Sequence, residues 1–321
     1  MKIHLHPPLC FHEAGQRENN EDSIYPPIGI PAGKGAHPLF LVCDGVGGRA
    51  QGEEASQIVC EVLSARLKHL PVVRQEHIDQ AILLAEGAID TYTKEHVEAK
   101  GMATTLTLLS IHQEGATIAH LGDSRVYQFR NQSIVFKTKD HSFVNELVEK
   151  NIISEAESRH HPQRNVVTKA IMGGQPHFEA AISYLQDIEE GDYFFLCTDG
   201  VLESCTDEDL VEIVGDQVRS NWEKIEAIKQ RCAMGSKDNF SAYLVQVSRI
   251  AEEGEKGREV LEHLKGNRKI WYIIAAVVGL LLLVMIFSNS GNTTKEAEES
   301  LERLDQIDLD EIPENKDSIG N

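Results

Sequence analysis

The chain is short of positive charge: 31 Lys and Arg stand against 51 Asp and Glu, a formal net of −20. It has no Arg or Lys run interleaved with aromatics, and nucleic-acid binders carry a basic stripe, so no nucleic acid is expected as a partner. Its six cysteines, at 10, 43, 60, 197, 205 and 232, form no Cys-x-x-Cys pair. That argues against a zinc site or a disulfide framework and fits a reducing compartment. Cys43 and Cys197 fall inside apolar runs and read as small buried hydrophobes. The N-terminal residues Met1 to Pro7 have no apolar stretch, so no cleavable signal peptide is expected. Gly45-Val46-Gly47-Gly48 lacks the Gly-Lys-Ser/Thr ending of a nucleotide loop and reads as a tight turn.

One long apolar run is present. Residues 270–287 carry no charge. As a helix they span roughly 27 Å, close to a hydrocarbon core of about 30 Å. Trp271 and Tyr272 mark one end as an interfacial belt, and Lys265, Arg268 and Lys269 precede it. The expectation is a single-pass transmembrane helix in contact with membrane lipid. Residues 1–248 are expected in the cytoplasm, 249–269 as a charged juxtamembrane linker, and the acidic 288–321 outside and without a fold of its own.

Within residues 1–248, periods of 2 and 3.6 alternate. Strands are expected at 39–43, 104–111, 116–121, 125–129, 133–137, 192–198 and 242–247. Helices are expected at 52–70, 78–97, 143–150, 155–159, 210–214 and 222–233. Strand runs separated by paired helices predict an α+β fold of antiparallel sheets with helices packed outside.

Chemistry concentrates in four acidic clusters, each where an apolar run breaks into a turn: Arg17 to Asp22, Cys43 to Gly48, Cys197 to Gly200, and Lys237 to Phe240. Convergent carboxylates need a shared counter-charge, since like charges at close range force protonation. Carboxylates, a carbonyl and water suit Mg²⁺ or Mn²⁺, and an arginine beside them suits a phosphate. The expected chemistry is metal-assisted phosphoryl transfer, with a cysteine nucleophile set aside as the poorer rival because none of the six is read as the start of a Cys-x5-Arg phosphate loop.

Arg17-x-x-Asn20-Glu21-Asp22, Asp44-Gly45-x-Gly47-Gly48 with Gly52-Glu53-x-Ala55-Ser56, Ala103-Thr104-Thr105, Leu121 to Tyr127, Thr198-Asp199-Gly200 and Asp238-Asn239 occur in one order. Together, over roughly residues 10–248, they resemble the bacterial form of the metal-dependent PP2C (PPM) family of serine/threonine phosphatases. The resemblance implies a PP2C-like α-β-β-α sandwich and the hydrolysis of phosphoserine or phosphothreonine on proteins. It makes Asp44 the bridging carboxylate between two Mn²⁺ or Mg²⁺ ions, joined by the Gly45 carbonyl, Asp199 and Asp238. Glu21 and Asp22 match positions that hold metal-bound waters, Asp123 with Asp199 a weaker third metal, and Arg17 the phosphate-binding arginine. Ser/Thr kinases and their targets are the implied partners.

One departure is Val46, where many eukaryotic relatives carry a histidine proposed as general acid. His141 and the His160-His161 pair are candidates for that role, though solvated turn or flap histidines is the expected reading. Residues 140–174 match the family's variable flap. The alternatives are a non-catalytic phosphoprotein-binding module and an enzyme dedicated to one target.

Overall fold

The computed structural model describes residues 2–29, 37–46, 51–158, 161–164, 166–174 and 177–251. The expected span at 270–287 and its flanks lie outside the described residues, among which no helix is long and apolar enough to cross a membrane.

The first half of the chain contributes β1 (Lys2–Leu5), β2 (Leu9–Glu13), β3 (Ser23–Tyr25), β4 (Leu39–Cys43), β5 (Gly45–Val46), α1 (Gly52–Leu67), α2 (Gln75–Glu95), β6 (Ala103–Thr104), β7 (Leu106–His112), β8 (Gly115–Leu121), β9 (Arg125–Arg130) and β10 (Ser133–Lys137). The second half contributes α3 (Phe143–Glu149), α4 (Glu155–Ser158), β11 (Ile171–Met172), β12 (Ala181–Leu185), β13 (Tyr193–Cys197), α5 (Asp199–Leu202), α6 (Asp207–Gly215), α7 (Asn221–Gly235) and β14 (Phe240–Ala251).

One sheet runs β12-β8-β7-β4-β3 and the other β1-β14-β13-β9-β10, with β2 also on β14. The pairings in both sheets are antiparallel. A small sheet, β11-β6-β5, sits beside them.

Strand periodicity explains the layering. In β4, Phe40 and Val42 face the second sheet and pack with Phe194, Leu196, Tyr243 and Val245. Leu39, Leu41 and Cys43 face the other way, onto Val59, Leu63, Ile78 and Ile82 of α1 and α2. The second sheet repeats this: Tyr127, Phe129, Phe195 and Leu244 turn outward onto Leu210, Val214, Ile225 and Ile228 of α6 and α7. Three apolar layers therefore separate helices, sheet, sheet and helices, the expected α-β-β-α order. Strands buried on both faces read as continuous apolar runs, which is why β4 and β13 stood out in the sequence.

The differences lie at the edges. Strands β1, β2, β3, β5, β11 and β12 were not anticipated; they are two to five residues long, mostly half-exposed and mixed in composition, and Gly45–Val46, expected as part of a tight turn, pairs as β5 with β6. The last strand extends over 240–251 rather than 242–247, because β1, β2 and β13 all pair along it. Helix α6 begins at Asp207, three residues early, where Thr206 and Asp209 form a reciprocal cap; Ser220 and Glu223 do the same for α7.

Candidate active site

The acidic turns come together at one edge of the sandwich. Asp44 follows β4, Asp199 follows β13, Asp238 precedes β14, Asp123 sits in the β8–β9 turn, and Glu21 and Asp22 lead into β3. Pairing of β4 with β3 and of β13 with β14 forces these strand ends to be neighbours.

Backbone groups fix each turn. The Asp44 carbonyl accepts from Thr105 N at 2.9 Å and Thr104 Oγ1 at 2.8 Å, and Asp44 N donates to Thr105 Oγ1 at 2.9 Å. Gly45 N donates to the Glu21 carbonyl at 3.1 Å, which also accepts from Ser56 Oγ at 2.6 Å. Only glycine fits at 45: a Cβ there would lie 2.3 Å from the Gly52 carbonyl oxygen. Asn239 ties the opposite turns together, its Oδ1 accepting from Glu21 N and its Nδ2 donating to the Ala14 and Asn19 carbonyls, each at 2.8 Å. Thr198 Oγ1 donates to Asp22 Oδ2 at 3.1 Å and accepts from Ser241 N. Asn239, Thr198 and Ser56 stand within the sequence motifs, but their bonding roles join residues more than thirty positions apart and leave no local pattern to read.

The electrostatics are lopsided. Burial, and then the charges of Asp22, Asp199 and Asp123, push the Asp44 carboxyl well above its usual range. Burial foremost raises Asp22 to about 7, against hydrogen bonds from Ser241 and Thr198 that pull it down. Asp123 is also raised to about 7 by burial and by Asp199. Asp199 is raised by burial, and Glu21 by burial and by Glu53. Asp44 and Asp199 are close enough for each carboxyl to shift the other. The other Asp22 oxygen is buried with no partner. Among the described residues, the one cation bonded into this edge is Arg17, whose Nη2 donates to Asp238 at 2.8 Å while its side chain stays half-exposed.

Among the described residues, no three His, Cys, Asp or Glu side chains form a ready-made cage for one ion. The donor set nevertheless fits a hard divalent cation: oxygen ligands, an orphaned buried carboxylate oxygen, and neighbouring carboxyls raised by burial and by one another's charge.

Two sequence readings change here. His141 is not a solvated turn residue. Its ring stacks on His120 at 4.7 Å and 2°, its Nδ1 accepts from Gly122 N at 3.2 Å, and burial foremost lowers it to about 4. A neutral imidazole bonded this way fastens the start of the flap to the turn carrying Asp123. His160 lies outside the described residues, and His161 Nδ1 accepts from Gln163 N at 3.1 Å. Second, Cys43 and Arg49 stand at the Cys-x5-Arg spacing of a cysteine-dependent phosphate loop, so spacing alone does not dismiss a thiol nucleophile. Position does. Cys43 is fully buried against Cys60 at 3.6 Å, and burial raises its thiol far from the thiolate that would react.

The sequence profile of the family described as Protein phosphatase 2C matches residues 14–235. The chain is 33% identical over 201 residues to the serine/threonine protein phosphatase PstP of Mycobacterium tuberculosis, covering 61% of this chain and 36% of that relative, so it spans about a third of the mycobacterial protein. It is 28% identical over 249 residues to the serine/threonine phosphatase stp of Listeria monocytogenes, covering 76% of this chain and 94% of that one. The crystal structure of the mycobacterial serine/threonine phosphatase superposes with a TM-score of 0.67 at 28% identity, covering 76% of this chain and 100% of that one. The catalytic domain of PstP in complex with two manganese ions superposes at 0.65 with 27% identity, covering 76% and 99%.

Proposed function

The chain belongs to the protein phosphatase 2C family, and from that premise we propose that it is a protein serine/threonine phosphatase dependent on two divalent cations, Mn²⁺ or Mg²⁺. The observation that carries this reading is the acidic edge itself, where burial first, and then neighbouring carboxylates, raise Asp44, Asp22, Asp123 and Asp199. Asp44, the Gly45 carbonyl, Asp199 and Asp238 would hold the two cations, Glu21 and Asp22 their waters, and Asp123 with Asp199 a weaker third ion.

When bound, such cations supply an acidified water and offset the negative charge of the phosphate. The chain's own residues do the positioning. Thr104, Thr105 and Asn239 fix the turns that present the carboxylates. Arg17, half-exposed at the rim, grips the phosphate oxygens. Val46 has no titratable group and His141 is held neutral, so neither supplies the proton to the leaving alkoxide. An intact carboxylate set argues against a module that only binds phosphoproteins.

The same proposal extends to place. The uncharged run at 270–287 anchors the enzyme in the membrane, with residues 1–248 as the phosphatase domain on the cytoplasmic side, the acidic tail outside, and a Ser/Thr kinase as its opponent. A reporter fused to the tail that is active only in the cytoplasm would contradict that topology. The activity is tested by hydrolysis of p-nitrophenyl phosphate and a phosphothreonine peptide by the full chain, with Mn²⁺ and with EDTA. Turnover that EDTA abolishes supports the proposal; equal turnover in both contradicts it.

A further inference from the structure

Two cavities flank the Arg125–Asp140 ion pair. One, of about 610 Å³, opens on Asp123 and Asp199. The other, of about 600 Å³, lies between the flap helices and the start of α6, at Glu155 and Glu208. Arg125, Asp140, Asn145 and Ser158 line both, so the two adjoin across these residues and together form a groove from the acidic edge to the flap helices. Its middle is stiff. Arg125 donates Nε and Nη2 to the two Asp140 oxygens at 2.7 Å each, and Asn145 Nδ2 donates to the Asp140 carbonyl at 3.0 Å.

The groove's unpaired charges are distributed unevenly along its length. Near Asp123 and Asp199 it presents Arg164 and Lys237, exposed side chains with no carboxylate partner among the described residues. Along the rest of the groove every cation is already engaged: Lys137 by Asp207 at 2.6 Å, Lys139 by Glu149 at 2.9 Å, and Arg125 by Asp140. The carboxylates of Glu155 and Glu208 there are exposed and have no partner among the described residues. One comes from α4 in the flap and the other from α6, so they approach the groove from different walls.

We propose that this groove seats the substrate polypeptide, with the phosphorylated residue at the Asp123–Asp199 end and an Arg or Lys of the same segment between Glu155 and Glu208. The inference rests on the phosphatase reading above and adds a substrate class to it. An extended chain advances about 3.3 Å per residue, so the basic residue lies a few positions from the phosphorylated one and not beside it. A Glu at that position meets like charge and is disfavoured. Both carboxylates are exposed, so the preference is modest, roughly threefold to tenfold for the two together, and it is screened by salt.

The test measures kcat/KM of the full chain on phosphothreonine peptides in which a single Arg is moved through the flanking positions of an Ala background. Wild type is expected to hydrolyse one such peptide about three to ten times faster than the all-Ala peptide at low salt, and the gain shrinks at 0.5 M salt. In the E155Q/E208Q variant the gain disappears while p-nitrophenyl phosphate turnover is unchanged, because that substrate does not reach the far end. Equal rates on Arg and Ala peptides in wild type, or a gain that survives in the variant, would overturn the assignment. Absence of turnover on p-nitrophenyl phosphate by wild type would overturn the phosphatase reading itself, and the groove assignment with it.

Discussion

Strand β13 carries a buried aspartate at its entry and a half-buried one just past its exit, and the two ends are satisfied in opposite ways. At the entry, Asp192 is fully buried, yet Arg130 reaches it through Nε at 2.8 Å and Nη2 at 2.9 Å, Gln128 donates at 2.8 Å, and Glu189 N at 2.9 Å. Arg130 also bonds Asp187 and Glu189, so one guanidinium gathers that end. Past the exit, Asp199 lies close to Asp44, Asp22 and Asp123, with no cation bonded to these four among the described residues and one buried oxygen of Asp22 unpaired. Burial alone does not mark a functional carboxylate in this fold. A missing counter-charge does, because a structural aspartate is given its partner by the chain and a metal-binding one is left to find it outside.

The comparison breaks first under substitution at the exit. Asp199→Asn or Asp44→Ala is expected to lower turnover on the order of 10³-fold, with thermal melting of the metal-free protein no lower than wild type. A melt that fell with the activity would make these residues structural. At the entry the expectation inverts. Arg130→Ala strands Asp192 without its cation and is expected to cost about 3 kcal/mol in denaturant unfolding, with turnover per folded molecule retained.

These two ends also show what sequence alone could carry. Asp199 was readable because a buried strand ending on Asp-Gly stands out and recurs at Asp44. The Asp192–Arg130 pair was not, since its partners are 62 positions apart and neither lies in a motif. The helices α1 and α2 and the buried strands followed from periodicity, while β1, β2, β3 and β12 did not, because a short half-exposed edge strand has no apolar run to announce it. Cys43 shows the reverse failure: its spacing to Arg49 suggests chemistry that burial forbids.

A smaller effect sharpens the comparison through pH. Asp22 and Asp123 are raised from 3.8 to about 7 in the folded, metal-free protein. Between about pH 4 and pH 7 the folded state therefore holds more protons than the unfolded one, and its stability falls as pH rises through that window. Asp22→Asn removes part of this penalty and is expected to raise the metal-free melting temperature at pH 7 by a few degrees, and by little at pH 4. No difference between the two pH values would remove the charge-deficit argument at that residue. Smallest of all, His141→Gln is expected to lower turnover less than about tenfold and to leave the shape of the pH–rate profile unchanged, since a neutral imidazole contributes no titration near pH 6 to 7. Loss of a limb from that profile would restore His141 as the general acid.

The most direct measurement is calorimetric titration of Mn²⁺ into the full chain at pH 7, repeated in buffers of different ionisation enthalpy. The charge deficit predicts at least two sites, with protons released on binding as the raised carboxyls of Asp22, Asp123 and Asp44 give way to metal, and loss of binding in Asp44→Ala. Absence of binding, or binding without proton release that persists in Asp44→Ala, would contradict the account.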